Sequence, residues 1–381
     1  MQNNNLTSII LDNRTEIINT MKLLLYNENP LILKKINFDS DAPFLEPLLF
    51  AYFNSKKDNL FHINILEEIL QGYFLFEKPM KIIHSFNKNG IAHIPELGYY
   101  RKDKNSQFST ILKFKEIEII KEAHPLLEQY FVEFYKGHIL NKNPIYTSTW
   151  KKHTDLFKAI EIIEKHLPDF YTELKFSNKK IYLHDNHKVL NFTTIETLGI
   201  IYLYVLGNKN LIYFIEELIH QGSHNFLEYI LYNRNRYFKI DVESLLMRDF
   251  TMQEWDYRDI YSAFHGLYTV TRRVECFDAL LSKNVFSGRN KHELLGRMTD
   301  QFRRFRSGLE LLNLEEIFTE DGIAFYNDLD ERCATILNKY KNLPTLFDLS
   351  NRDLDFRYAD FCILNPISKF YKNDGLGLYN F

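Results

Sequence analysis

A mainly α fold is what this sequence predicts: a multi-helix, bundle-like globular protein with one small β-hairpin near residues 180–192. Three observations carry the prediction. Only 14 Gly and 10 Pro occur in 381 residues, and so few breakers favour long helices over a many-stranded sheet. Apolar residues recur at spacings of three and four through much of the chain. Strict alternation stands out once, on both sides of Asp185 and Asn186. A hydrophobic content of 45% suits a globular chain, and the length suffices for a large core.

Residues 17–26, 42–53 and 63–74 have helical apolar spacing. Residues 88–107 are richer in Gly, Pro and short polar side chains and read as a loop. Residues 114–134 read as a helix pair, and Pro144 marks a connection over 141–146. Residues 154–166 are helical, and Pro168 stops or restarts the chain. The alternating segment 180–192 turns at Asp185 and Asn186, which is a hairpin signal. Thr193, Thr194 and Glu196 form a cap with an acidic first turn, opening a helix to about Val205. The most apolar stretch, 197–205, is too short to cross a bilayer and reads as a buried helix. Two long helices follow, over 210–232 and 257–281. Residues 287–290 are a loop. Residues 291–312 are helical and basic at Arg297, Arg303, Arg304 and Arg306. Residues 321–340 are the last clear helix, and the tail past Pro344 reads as irregular or short-stranded. No repeat or linker enforces a boundary. The division drawn is 1–150, a helical region and candidate substrate-binding part, and 151–381, a helical domain carrying the histidines discussed next.

A net charge of -3 provides no basic field for nucleic acid. Cys276, Cys333 and Cys362 are far apart and form no CxxC pair, so a reducing cytoplasm is the expected setting. Residues 1–5 are polar and begin no secretory signal. Neither a nucleic-acid nor a membrane partner is expected.

His220, Gln221, Gly222, Ser223 and His224 nearly match a metalloprotease motif. Histidines at i and i+4 share a helix face, so both rings can reach one ion. A zinc protease takes a proton from metal-bound water with the Glu that follows the first His. Gln221 cannot do that. His265 lies on the next long helix, and two packed helices can bring three imidazoles to one ion, a donor set that suits Fe(II) or Zn(II). Glu228, one turn beyond His224, is an alternative third ligand, and Glu217 lies one turn before His220. Against this, an i,i+4 histidine pair arises easily among 13 histidines. Arg258, Tyr261, His265, Tyr268 and Arg272 form one stripe, either a solvated face or the lining of a pocket for an anion. Gly266 would allow close approach of another backbone or a ligand. His184 and His187 read as surface turn residues. The arginine cluster of 297–306 reads as a salt-bridged helix or a surface for an acidic peptide.

Taken together, the two histidine motifs resemble the HExxH-motif peptide-modification family, which includes 2-oxoglutarate-dependent peptide β-hydroxylases of ribosomal-peptide pathways. That family's first motif is usually His-Glu-x-x-His, and its second reads like Arg-Pro-Leu-x-Gly-Val-Leu-His-Gly. Arg258, His265 and Gly266 match the second in identity and spacing. Asp259 and Ser262 stand where its Pro and Gly fall, and Gln221 replaces the Glu of the first. The resemblance covers about residues 180–281. It implies Fe(II) on His220, His224 and His265, with 2-oxoglutarate and O2 as co-substrates. It also implies a ribosomally made precursor peptide hydroxylated at a side-chain β-carbon. Arg258 is matched by the motif, and helix spacing adds Arg272 as an anchor for the 2-oxoglutarate carboxylate. Gln221, Tyr261 and Tyr268 would support the ligands. The competing expectations are a catalytically inactive peptide-binding module and a zinc-dependent hydrolase, the latter disfavoured by Gln221.

Overall fold

The computed structural model describes residues 3–55, 64–76, 84–103, 106–135, 138–142, 153–207, 209–352 and 355–379. The start of the 63–74 helix and most of the 141–146 connection lie outside the described residues. The fold is mainly α, as the spacing predicts. Helices α1 (Asn3–Glu28), α2 (Pro47–Ser55) and α3 (Ile65–Leu70) open the chain.

From residue 91 the structure departs from the expected loop and helix pair. Strands β1 (Ile91–Ile94), β2 (Gly98–Arg101) and β3 (Ser106–Ser109) form an antiparallel meander. Then come β4 (Leu112–Phe114), β5 (Ile117–Ile120), a 3-10 segment Pro125–Tyr130, and the pair β6 (Val132–Tyr135) and β7 (His138–Lys142). Two helices, α4 (His153–His166) and α5 (Pro168–Ser177), precede β8 (Lys180–His184) and β9 (Ile200–Tyr204).

The predicted hairpin does not form. Strands β4, β5, β8 and β9 make one sheet in that order, with β5, β8 and β9 parallel. Both edges of β8 are therefore taken. After the turn at Asn186 the chain bridges Tyr202 of β9 through Phe192 instead of returning along β8. The alternation misled because β8 begins and ends on buried polar residues. Lys180 is held by Glu118 at 2.5 Å and by Glu46 at 3.2 Å. The expected helix to Val205 is a 3-10 turn, Ile195–Thr197, followed by β9. A strand buried on both faces reads as an unbroken apolar run, which periodicity cannot separate from a buried helix.

That sheet has a core on each face. Along β9, Ile200 and Tyr202 join one apolar cluster, and Ile201 and Leu203 join the other. The period of two in a strand requires this split. The second half of the chain supplies α6 (Leu211–Ile230), α7 (Met247–Thr251), α8 (Ile260–Ser282), α9 (Gly288–Arg304), α10 (Leu314–Ile317) and α11 (Glu320–Lys339). The tail past Pro344 is helical rather than irregular. After α12 (Leu343–Leu346) it forms α13 (Tyr358–Leu364) and α14 (Ile367–Gly375). Helices α6 and α8 run from one core to the other. Ile212, Phe214, Leu218 and Ile219 of α6 pack in the second cluster, and Phe226, Leu227 and Ile230 in the first. His220 and His224 fall between them.

Candidate metal centre

Helix α6 starts where the Asn210 side chain accepts from the Tyr213 amide at 3.2 Å. Helix α8 starts where Asp259 accepts from the Ser262 amide, so Asp259 works as an N-cap. Arg258 consequently lies before the helix, not on it. The two helices pack antiparallel, pairing Glu216 with Arg273, His224 with His265 and Glu228 with Tyr261. Gly222 permits α6 to lie close to α5, since a Cβ there would fall 2.5 Å from Leu174 Cδ1. At Gly266 a Cβ would meet nothing within 4 Å, so no other backbone among the described residues approaches it.

The three histidines of the two motifs meet. His220 Nε2 and His224 Nε2 are 3.2 Å apart, and His224 Nδ1 and His265 Nδ1 are 3.1 Å apart. His265 Nε2 has no hydrogen bond among the described residues and lies 3.6 Å from Glu228. Glu228 accepts from the Tyr261 hydroxyl at 3.1 Å and from Arg234 at 2.8 Å. At the other end, the Gln221 amide donates to Glu217 at 3.3 Å and touches His220 Nδ1 at 3.3 Å. The rings thus form a chain, with Glu217 and Gln221 at one end and Glu228 at the other. Burial holds all three imidazoles in the neutral form. It takes His265 down to about 4 against the pull of Glu228. His220 and His224 are lowered well below the ordinary range, by burial first and then by Arg273 and Arg304 for His220 and by the neighbouring rings for His224.

Neutral, desolvated imidazoles are what a divalent transition metal requires. Two nitrogens bound to one ion at ~2.1 Å lie about 3.0–3.4 Å apart, and the Nε2 pair of His220 and His224 has that spacing. His265 stands one ring away, on the opposite nitrogen of His224. Among the described residues no three His, Cys, Asp or Glu side chains already converge on one point. The donor chemistry therefore fits an ion, with a turn of the His224 or His265 ring needed to complete the set. Glu228 is not beside the Nε2 pair. It sits behind His265.

The predicted stripe divides. Tyr261 packs on His265, with ring centroids 4.2 Å apart. Arg258 turns to Asp256, at 2.7 Å, and to the Ser307 carbonyl. Arg272 is bound by Glu173 and Glu275, both at 2.5 Å. It lines, with Tyr268, a separate cavity of about 760 Å³. The guanidinium beside the rings is Arg273, which the sequence reading passed over. It is buried, donates to the Thr269 carbonyl, and lies 3.4 Å from Glu216. Its signal was the four-residue step His265, Thr269, Arg273. Away from the site, His184 is buried rather than at the surface, while His187 is exposed. Of the arginine cluster, Arg297, Arg304 and Arg306 pair with Glu216, Asp300 and Asp330 respectively. No protein-family model and no curated protein sequence matches the chain.

Proposed function

We propose that the protein is an Fe(II)- and 2-oxoglutarate-dependent oxygenase that hydroxylates a side-chain β-carbon of a ribosomally made peptide. The observation that carries this reading is the meeting of His220, His224 and His265 as neutral rings from two helices. With Fe(II), 2-oxoglutarate and O2 bound, such a centre converts a C–H bond to C–OH while 2-oxoglutarate leaves as succinate and CO2. His220 and His224 present the spaced Nε2 pair, and His265 supplies the third ring. Glu228, fixed by Tyr261 and Arg234, orients His265 from behind. Gln221 holds Glu217 against His220 without acting as a base. Arg273 acts on both His220 and His224 as a positive charge, and it favours an anion there. Apolar core flanks the rings on both sides, while the His220 side chain stays 23% exposed, which leaves a way in from solvent.

The same ring-to-ring contacts favour a second reading, a metal-free peptide-binding module in which each imidazole satisfies the next. Anaerobic spectroscopy separates the two. Fe(II)-loaded protein should develop a visible charge-transfer band on addition of 2-oxoglutarate, and His265→Ala should abolish it. A folded wild type that takes up no Fe(II) would overturn the oxygenase reading and leave the binding module.

A further inference from the structure

One cavity among the described residues lies apart from the Nε2 pair. It lies between α1, α5, α6, α8 and α11, with a volume of about 760 Å³, within the ~300–1,000 Å³ range of sites that enclose small ligands or peptide segments. Phe176, Phe226, Ile230 and Phe325 give it an apolar wall. Tyr268, only 4% exposed, lines it, and its hydroxyl has no hydrogen-bond partner among the described residues. The hydroxyl keeps access to the cavity, where it can donate to whatever enters.

The charges on the rim say which acceptor. Arg272 is bound at both terminal nitrogens by Glu173 and Glu275, and Arg332 is bound by Glu275 and Asp328. Asp169 adds a further carboxylate. Three lining carboxylates, Asp169, Glu173 and Asp328, therefore face two guanidiniums, with Glu275 paired to both from outside the lining. An incoming anion would meet a surplus of negative charge and no open fork, so the acceptor must be uncharged. A peptide carbonyl satisfies that condition, and an apolar side chain satisfies the wall.

We propose that this cavity binds an uncharged peptide segment, taking an aromatic or aliphatic side chain against the phenylalanine wall and a backbone carbonyl on the Tyr268 hydroxyl. The choice of a peptide rests on the function proposed above, whereas the cavity's preference for a neutral amide does not. Arg272 then holds the rim together and anchors no co-substrate carboxylate.

The test needs no metal and no known substrate. N-acetylphenylalaninamide and N-acetylphenylalanine share one aromatic body and differ by a charge. Titrated by ligand-observed NMR, the amide should bind about tenfold more tightly than the acid. Tyr268→Phe should weaken the amide by about fivefold, the value of one hydrogen bond, and leave metal uptake unchanged. Leu11→Trp, at an exposed rim position, should block the amide altogether. Equal or tighter binding of the acid, absence of amide binding, or indifference to both substitutions would overturn the proposal. Since metal uptake is read separately, none of these outcomes bears on the iron reading.

Discussion

At the scale of single residues, Gln221 is the informative departure from the protease pattern. It is buried, and its amide donates to Glu217. A carboxylate at the same place would face Glu217 across that contact, and one of the two would have to take up a proton. Gln221→Glu should therefore lower the stability of the metal-free protein by about 1–2 kcal/mol at pH 7. The loss should shrink toward pH 5, because protonation removes the repulsion. Urea denaturation at the two pH values checks this, and equal stability of variant and wild type would contradict the contact. The histidines themselves were legible in the sequence, because i and i+4 share a face in any α-helix. The arginine was not. Arg272 and Arg273 differ by about 100° around α8. Which of them meets the rings depends on the antiparallel pairing of Glu216 with Arg273, a tertiary fact that no spacing records.

At the scale of elements, the two glycines of the motifs have opposite roles. Gly222 lets α5 approach α6, so Gly222→Ala forces Leu174 to move and should cost about 1–3 kcal/mol. Gly266 faces open space in the interior of α8, so Gly266→Ala should stabilise by about 0.5–1 kcal/mol through helix propensity alone. A thermal melt of each variant decides the matter, and a shift in the same direction for both would show that the α6–α5 contact is misplaced. Helix α11 was read closely because its buried residues Phe325, Tyr326, Leu329, Cys333 and Leu337 form one apolar stripe. Helix α11 was expected at 321–340 and spans Glu320–Lys339. Strands β5 and β9 were missed because burial on both faces removes the alternation by which a strand is recognised, whereas β8 was read as a strand and given the wrong partner. The meander β1 to β3 was missed because its strands are only four residues long, and the Gly and Pro near them read as loop signals.

At the scale of the whole molecule, burial of neutral histidines makes the fold sensitive to acid. His184 and His292 lie far from the rings in sequence, and burial takes each from 6.5 down to about 4, with Arg289 adding to the effect on His292. The sign follows from proton counts. Between pH 6.5 and 4 the unfolded chain binds a proton at each of these rings and the native protein does not. Stability is therefore complete above pH 6.5 and declines through this window, by roughly 2–3 kcal/mol per ring at its foot. The unfolding free energy of metal-free protein, measured in urea at several pH values, should fall steadily from pH 6.5 to 4.5, and a flat profile there would show that these rings are not buried as neutral groups. The three site rings obey the same rule and should steepen the fall. A divalent ion that binds only their neutral form adds a further dependence, because protons then compete with the metal as well as with folding. Saturating metal should raise stability most near neutral pH and progressively less toward pH 5. A metal-induced gain that stays constant over this range would place the ion on carboxylates away from the histidines.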